Sequence, residues 1–200
     1  MRDSQNPIEI LISISKHKYI LLSLPIFIII ACFVLKVFNV YLIFTKPLIM
    51  IAFVVYLLVM YIFRFDQPHI EINESNLLAP INGKIKEIKK LDNSYQILVQ
   101  KGFSDKAEIR TMTNLDKSEF NEGMPSFTVK GVWTRIYSDK NPHIQGLLIG
   151  IAPGRAVAVI NVPFSYELSV QNNNSINAGT TILATSRNSS SISNIGRDDE

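Results

Sequence analysis

Tyr19-Ile-Leu-Leu-Ser-Leu-Pro-Ile-Phe-Ile-Ile-Ile-Ala-Cys-Phe-Val-Leu35 decides the architecture: 17 residues without a charge, bounded by Lys18 and Lys36. Pro47–Phe63, between Lys46 and Arg64, repeats the arrangement over another 17. At 1.5 Å per residue each stretch makes a helix of about 25 Å, a little short of a hydrocarbon core of about 30 Å. The basic residues at the ends lengthen each span by snorkelling, and Tyr19, Tyr41, Tyr56 and Tyr61 supply interfacial rings near some ends. A buried hairpin in a soluble core is the competing reading, but residues 64–200 are too polar to wrap two helices that are apolar all round. A cleaved signal peptide fits poorly, because two spans follow one another without an A-x-A-like site. The expectation is a two-helix transmembrane hairpin over 19–63, preceded by an N-terminal interfacial segment, 1–18.

The link Val37–Thr45 is short and apolar, with Asn39 its one clear turn former, so the hairpin is tight and both outer ends emerge on one side. Arg2, Lys16 and Lys18 precede the first span and Arg64, Lys84 and Lys86 follow the second, whereas Lys36 and Lys46 flank the link. That bias places both termini and the region after Arg64 in the cytoplasm of a two-pass cell-membrane protein.

The chain carries 20 Lys/Arg and 17 Asp/Glu for a net charge of +3, is 47% hydrophobic and has a mean hydropathy of +0.18. Five basic and two acidic residues lie in 1–63, so the whole excess sits there and 64–200 is neutral. A pI near 8.9 without a basic surplus in the extramembrane part makes a poor counterion-releasing surface, which argues against a nucleic-acid partner. Cys32, the single cysteine, lies in the apolar stretch, where it reads as a small hydrophobe facing lipid or a helix neighbour. One cysteine excludes a disulfide framework and a Cys-based zinc site, and His17, His69 and His143 lack ligand spacing, so no metal is expected.

Beyond Arg64 the period becomes two. Lys84–Ile88, Tyr95–Gln100, Phe127–Lys130, Val132–Tyr137, Leu147–Ile151, Ala156–Val162, Glu167–Val170 and Thr180–Ala184 read as strands, and Leu115–Phe120 as one helical turn. Many short strands with tight turns imply a small all-β barrel or sandwich over 64–185, large enough for one modest core. Five serines and a closing Arg-Asp-Asp-Glu mark 186–200 as a disordered tail. Pro80 before Asn82-Gly83 favours positive φ between two apolar strands, and Gly179 sits at the turn before the last one. A proline-x-x-glycine entry with an Ala-Gly exit is similar to the crossings of biotinyl- and lipoyl-type barrels, so the expected domain is barrel-sandwich-hybrid-like.

His17-Lys18-Tyr19, the two spans, Phe63-Arg64-Phe65-Asp66-Gln67-Pro68, Ala79-Pro80-Ile81-Asn82-Gly83-Lys84-Ile85, Ile151-Ala-Pro-Gly154-Arg155-Ala-Val-Ala-Val and Asn177-Ala-Gly-Thr-Thr-Ile-Leu-Ala follow one another in order. The series resembles the small membrane-bound phosphatidylserine decarboxylases of bacteria, nearly end to end, with the ends matching better than the middle. The resemblance implies a pyruvoyl enzyme made by self-cleavage at a Gly-Ser bond, the pyruvoyl carbonyl forming a Schiff base with the substrate amine. Cleavage needs a hydroxyl, a histidine base and a carboxylate that orients it.

At the matching positions none of the three stands. Arg155 follows Gly154 where the serine belongs, and a guanidinium cannot become pyruvoyl. Asn82 replaces the aspartate, and Tyr95–Asn121, which corresponds to the histidine strand, holds no histidine. Asn82, Gly154 and Arg155 are therefore vestigial positions, with no catalytic residue and no pyruvoyl or other cofactor expected. The reading is a decarboxylase-like, non-catalytic membrane protein acting as a structural or regulatory partner in a membrane or phospholipid-metabolism assembly. Its partners are the lipid bilayer and a membrane protein or phospholipid headgroup. The alternative is an active phosphatidylserine decarboxylase making phosphatidylethanolamine. A biotinyl or lipoyl carrier would need a modifiable lysine at a hairpin tip, and Lys84 reads as an ordinary strand lysine. An export adaptor would need a long helical hairpin, which is not seen.

Three features stay open between two readings. Arg155 either forks a lipid phosphate or makes a surface ion pair. Trp133, alternating with Arg135 and Tyr137, lines one face of a strand and lies either in the core or on the headgroups. Lys84, Lys86, Lys89 and Lys90 either touch anionic lipid or solvate an edge strand.

Overall fold

The computed structural model describes residues 7–37, 45–64, 73, 75–113, 124–137 and 144–187. The link at 38–44, the turn expected at 115–120, Phe65-Asp66-Gln67-Pro68, His69, His143 and the tail from 188 lie outside the described residues.

Two helices open the chain: α1 (Pro7–Val37) and α2 (Thr45–Ile62). Pro7 begins α1 at a position where a missing N–H costs nothing, and both helices contain a stretch long and apolar enough to cross a membrane. Leu22, Cys32 and Ala52 are buried while Phe27 and Met50 face outward, so apolar side chains cover the outside of the hairpin. At 31 residues α1 is about 46 Å long, well beyond a hydrocarbon thickness of about 30 Å. Its surplus includes residues 7–18, which share one helix with the first uncharged stretch. From Pro7 onward it is continuous helix, and Ile14 is buried in a cluster with Ile62, Phe63, Leu148 and Ile151, flanked by Val59 and Tyr137. Ile14, ahead of the uncharged stretch, thus packs on the β domain.

Eleven strands follow among the described residues: β1 (Asn76–Leu78), β2 (Gly83–Lys90), β3 (Ser94–Lys101), β4 (Glu108–Arg110), β5 (Ser126–Gly131), β6 (Arg135–Ile136), β7 (Leu148–Ile151), β8 (Ala156–Pro163), β9 (Tyr166–Leu168), β10 (Ser175–Ile176) and β11 (Ile182–Ser186). They form three sheets in the orders β1-β11-β9, β10-β2-β3-β8-β5 and β4-β7-β6, every pairing antiparallel. The sheets are open, and no closed barrel forms among the described residues. Ile85, Ile97, Val99, Ala158 and Ile160 line the inner face of the five-stranded sheet and meet Leu77, Ile81, Ile109 and Leu183 from the other two. Period-2 alternation produces this directly, since every second side chain turns to the same face.

Several expectations need correction. Val132 and Trp133 are not in a strand: they occupy a turn, closed by the Thr134 N–H on Gly131 O at 3.3 Å, and β6 begins only at Arg135. The strand expected at Glu167–Val170 stops at Leu168, and that expected at Thr180–Ala184 starts at Ile182. Asn82-Gly83 does not turn a hairpin, because β1 pairs with β11 whereas β2 pairs with β3 and β10. The segment crosses between sheets, with Ile81 bridging Ile109 on the way. Among the described residues Asn173 is the one non-glycine with positive φ, so Asn82 keeps ordinary backbone and Gly83 alone carries the unusual conformation, φ +155°.

A Cβ on Gly83 would stand 2.7 Å from Gln100 O, inside the β2–β3 ladder. Gly83→Ala in the full chain should therefore cost about 1–3 kcal/mol through strain and displaced pairing. Lys84→Ala, at an exposed neighbour, should stay within about 0.5 kcal/mol. Thermal unfolding in detergent compares the two; equal unfolding temperatures would mean the close approach is absent.

Candidate functional site

Strand β3 turns Ile97, Val99 and Lys101 to the same inward face, so its last side chain is a lysine that is 1% exposed. An ammonium in that position needs a partner for each of its three N–H groups. It has them: Nζ donates to Gly102 O at 3.1 Å, Asp105 O at 2.7 Å and Gly154 O at 2.9 Å. Burial lowers the Lys101 pKa, Asp105 partly offsets this, and the Arg64 guanidinium lowers it further. The loop that supplies two of these carbonyls, 102–107, is tightened by Gly102 N–H donating to Asp105 Oδ2 at 2.6 Å. Arg64, just past α2, stacks over Tyr61 at 4.5 Å and donates to Ser104 O at 2.6 Å. The loop is thus gripped from the β core on one side and from the helix end on the other.

Asn82 meets the same loop. Its Nδ2 donates to Lys106 O at 3.3 Å and to Glu108 Oε1 at 3.2 Å, and its Oδ1 accepts from Ala178 N–H at 3.0 Å. Glu108 is buried and ion-paired with buried Arg110, whose Nε and Nη2 donate to Oε2 at 3.0 and 2.7 Å. Arg110 Nη1 donates to Gly146 O at 2.8 Å. Two buried charges are tolerable here because each is paired and further hydrogen-bonded.

Asn82 and Gly154, two of the positions marked in the sequence, are therefore brought to one loop, through Lys106 O and through Lys101. Arg155 is exposed and makes no ion pair among the described residues. Lys101 Nζ sits on the carbonyl of the Gly154–Arg155 peptide. A cation there polarises the carbonyl, but the next side chain is a guanidinium and offers no attacking oxygen. Lys101, Glu108 and Arg110 were not singled out from the sequence. The readable signals were parity, which turns Lys101 inward after Ile97 and Val99, and the Glu-x-Arg spacing that puts both charges on one face of a strand.

The other candidates lie elsewhere. Lys84, Lys86, Lys89 and Lys90 are exposed along β2, with Lys89 paired to Glu87 at 3.3 Å and Lys90 over the Phe164 ring at 5.5 Å. Register puts Lys90 opposite Tyr95, at the other end of the ladder from Lys101. An open groove of about 790 Å³ runs between the helices, lined by Lys18, Tyr19, Leu22, Phe27, Tyr56 and Met60 among others. It is made of hairpin residues alone. A scan against protein-family models, a search of the curated proteins and a search of the solved structures each return no match.

The lowered pKa of Lys101 has a sign that can be measured. Below the folded-state value both states are protonated and the group contributes nothing. Between that value and 10.5 the unfolded chain holds more protons, so the Lys101 contribution to stability rises with pH and is complete above 10.5. Lys101→Met should abolish that rise and, by stripping three carbonyls of their donor, cost about 1–3 kcal/mol. Tyr137 and Tyr166, raised by burial, act oppositely above pH 10.0 and persist in the variant. The readout is the wild-type-minus-variant difference in unfolding free energy across alkaline pH; a flat difference would refute the assignment.

Proposed function

We propose that this chain is a two-pass membrane protein with its β domain and both termini in the cytoplasm. Its β domain has a phosphatidylserine-decarboxylase-like, barrel-sandwich-related plan and serves as a non-catalytic structural or regulatory partner in a membrane or phospholipid-metabolism assembly. The relation to that plan is supported by the two crossing stretches lying side by side. Ala79 N–H donates to Thr181 O at 2.8 Å, Gly179 N–H to Ala79 O at 2.9 Å, and Asn82 Oδ1 takes the Ala178 N–H. The hairpin is supported by apolar side chains facing outward along both helices, which in water would be an unfavourable surface.

One observation carries the non-catalytic reading: around Gly154–Arg155 the polar groups are spent on internal bonds. Lys101 is committed to three carbonyls, Asn82 to Glu108, Lys106 and Ala178, and Glu108 to Arg110. Such a network positions backbone, and Lys101, Asn82, Glu108 and Arg110 are each held in it and not poised to abstract a proton from an incoming hydroxyl. A scaffold that keeps its packing can outlast the chemistry it once supported.

The purified chain should run as a single species with the intact mass of 200 residues, uncut at Gly154–Arg155, and should not restore phosphatidylethanolamine to a decarboxylase-deficient strain. Restoring the alcohol alone, with Arg155→Ser, should also leave the chain whole, because the base is missing as well as the nucleophile. Two fragments, the C-terminal one capped by a ketone, would instead make this an active decarboxylase.

A further inference from the structure

The end of the β domain nearest the hairpin carries apolar side chains that the fold leaves uncovered. Val132 is 90% exposed, Trp133 61%, Ile136 50% and Phe103 42%. Three arginines, Arg64, Arg135 and Arg155, are exposed among them. These residues come from four separate parts of the chain, and contacts already described gather them. Arg64 holds the carbonyl of Ser104, next to Phe103. Phe103 Cδ2 lies 3.8 Å from where a Gly154 Cβ would stand, beside Arg155. Gly131, which starts the Val132-Trp133 turn, pairs with Ala156 and approaches Arg155 O so closely that a Cβ there would stand 3.0 Å away. On the other side of the turn, Arg135 pairs with Ile151, a member of the cluster that seats α1 and α2. Two extended residues span about 7 Å and neighbouring strands lie about 5 Å apart, so Trp133 stands within roughly 12 Å of the helix seat.

We infer that this rim, with the Val132-Trp133 turn at its centre, lies in the headgroup layer of the bilayer that the hairpin occupies, and that the arginines contact anionic lipid phosphates there. The inference rests on the hairpin spanning a membrane. Given that, a turn within roughly 12 Å of the seat where α2 ends is close enough to enter the polar layer, which adds about 5–8 Å to each side of the hydrocarbon. The composition suits that layer and no dry interface: tryptophan is favoured at the membrane–water boundary, arginine forks phosphate oxygens, and the three cations repel a second copy of the same surface. The lysine run toward the far end of β2 is not part of it.

Trp133 is the only tryptophan in the chain, so the wild-type protein reports on itself. The full chain is reconstituted in phosphatidylcholine vesicles with and without phosphatidylglycerol. Flotation after an alkaline carbonate wash first establishes that the hairpin is integral; failure there would overturn the membrane reading and this inference with it. With the protein integral, the expected results are a blue-shifted emission, protection from aqueous acrylamide, and loss of emission in lipids brominated near the carbonyl end of the chain. An Arg135→Glu/Arg155→Glu variant should lose the extra quenching that anionic lipid brings. Water-like emission quenched freely by acrylamide would overturn the inference while leaving the hairpin intact. Blue-shifted emission indifferent to brominated lipid would overturn it as well, by placing Trp133 against protein.

Discussion

Strand β7 must be covered on both faces, and only the two halves of the molecule together can do it. Ile149 enters the β core, whereas Leu148 and Ile151 press on Ile14 of α1 and on Ile62 and Phe63 at the end of α2. Fully burying a side chain of this size is worth about 1.5–3 kcal/mol, so the seat contributes to holding the domain together as well as to placing it. The register of the small sheet slips between Ile109 and Arg110, opposite this strand, which lets Leu148 and Ile151 share one cluster although strict alternation would oppose them.

Electrostatics around the neighbouring loop follow from the same crowding. Asp105 and Arg64 are near enough to Lys101 to act on its pKa in opposite directions, and the loop from Gly102 to Ala107 is where the three meet. Backbone carbonyls of Gly102, Asp105 and Gly154 supply all three acceptors for the Lys101 ammonium. Lys101, Asn82, Glu108 and Arg110 thus form a buried polar centre held together by internal hydrogen bonds.

Much of this architecture could be read from residues in order. The two uncharged stretches bounded by basic residues predicted the helices, and alternation in Tyr95–Gln100 and Ala156–Val162 predicted the longest strands, because those segments bury one face and alternate without interruption. Short pieces failed for a physical reason: Asn76–Leu78, Glu108–Arg110 and Ser175–Ile176 are too brief to show a period, and their pairing comes from partners distant in sequence. Glu108 and Arg110 carry no local mark of burial, because their burial depends on each other. Val132-Trp133 matched a strand by composition, but Gly131 ends the pairing one residue earlier, where Ala156 leaves no room for a side chain. Asn82-Gly83 carries the local signal of a hairpin, and tertiary pairing of β1 with β11 overrides it. Lys101 went unmarked because a lysine at the end of an alternating strand reads as a surface residue until the 102–107 loop and Gly154 close over it.

The seam formed by Ile14, Ile62, Phe63, Leu148 and Ile151 means that the hairpin is no detachable leash. A version of this polypeptide begun after Arg64 would bare a greasy scar along β7, together with the carbonyl of Ser104 that Arg64 now caps. Any soluble descendant, natural or engineered, has to repaint that scar with polar side chains at the same moment that it sheds its anchor.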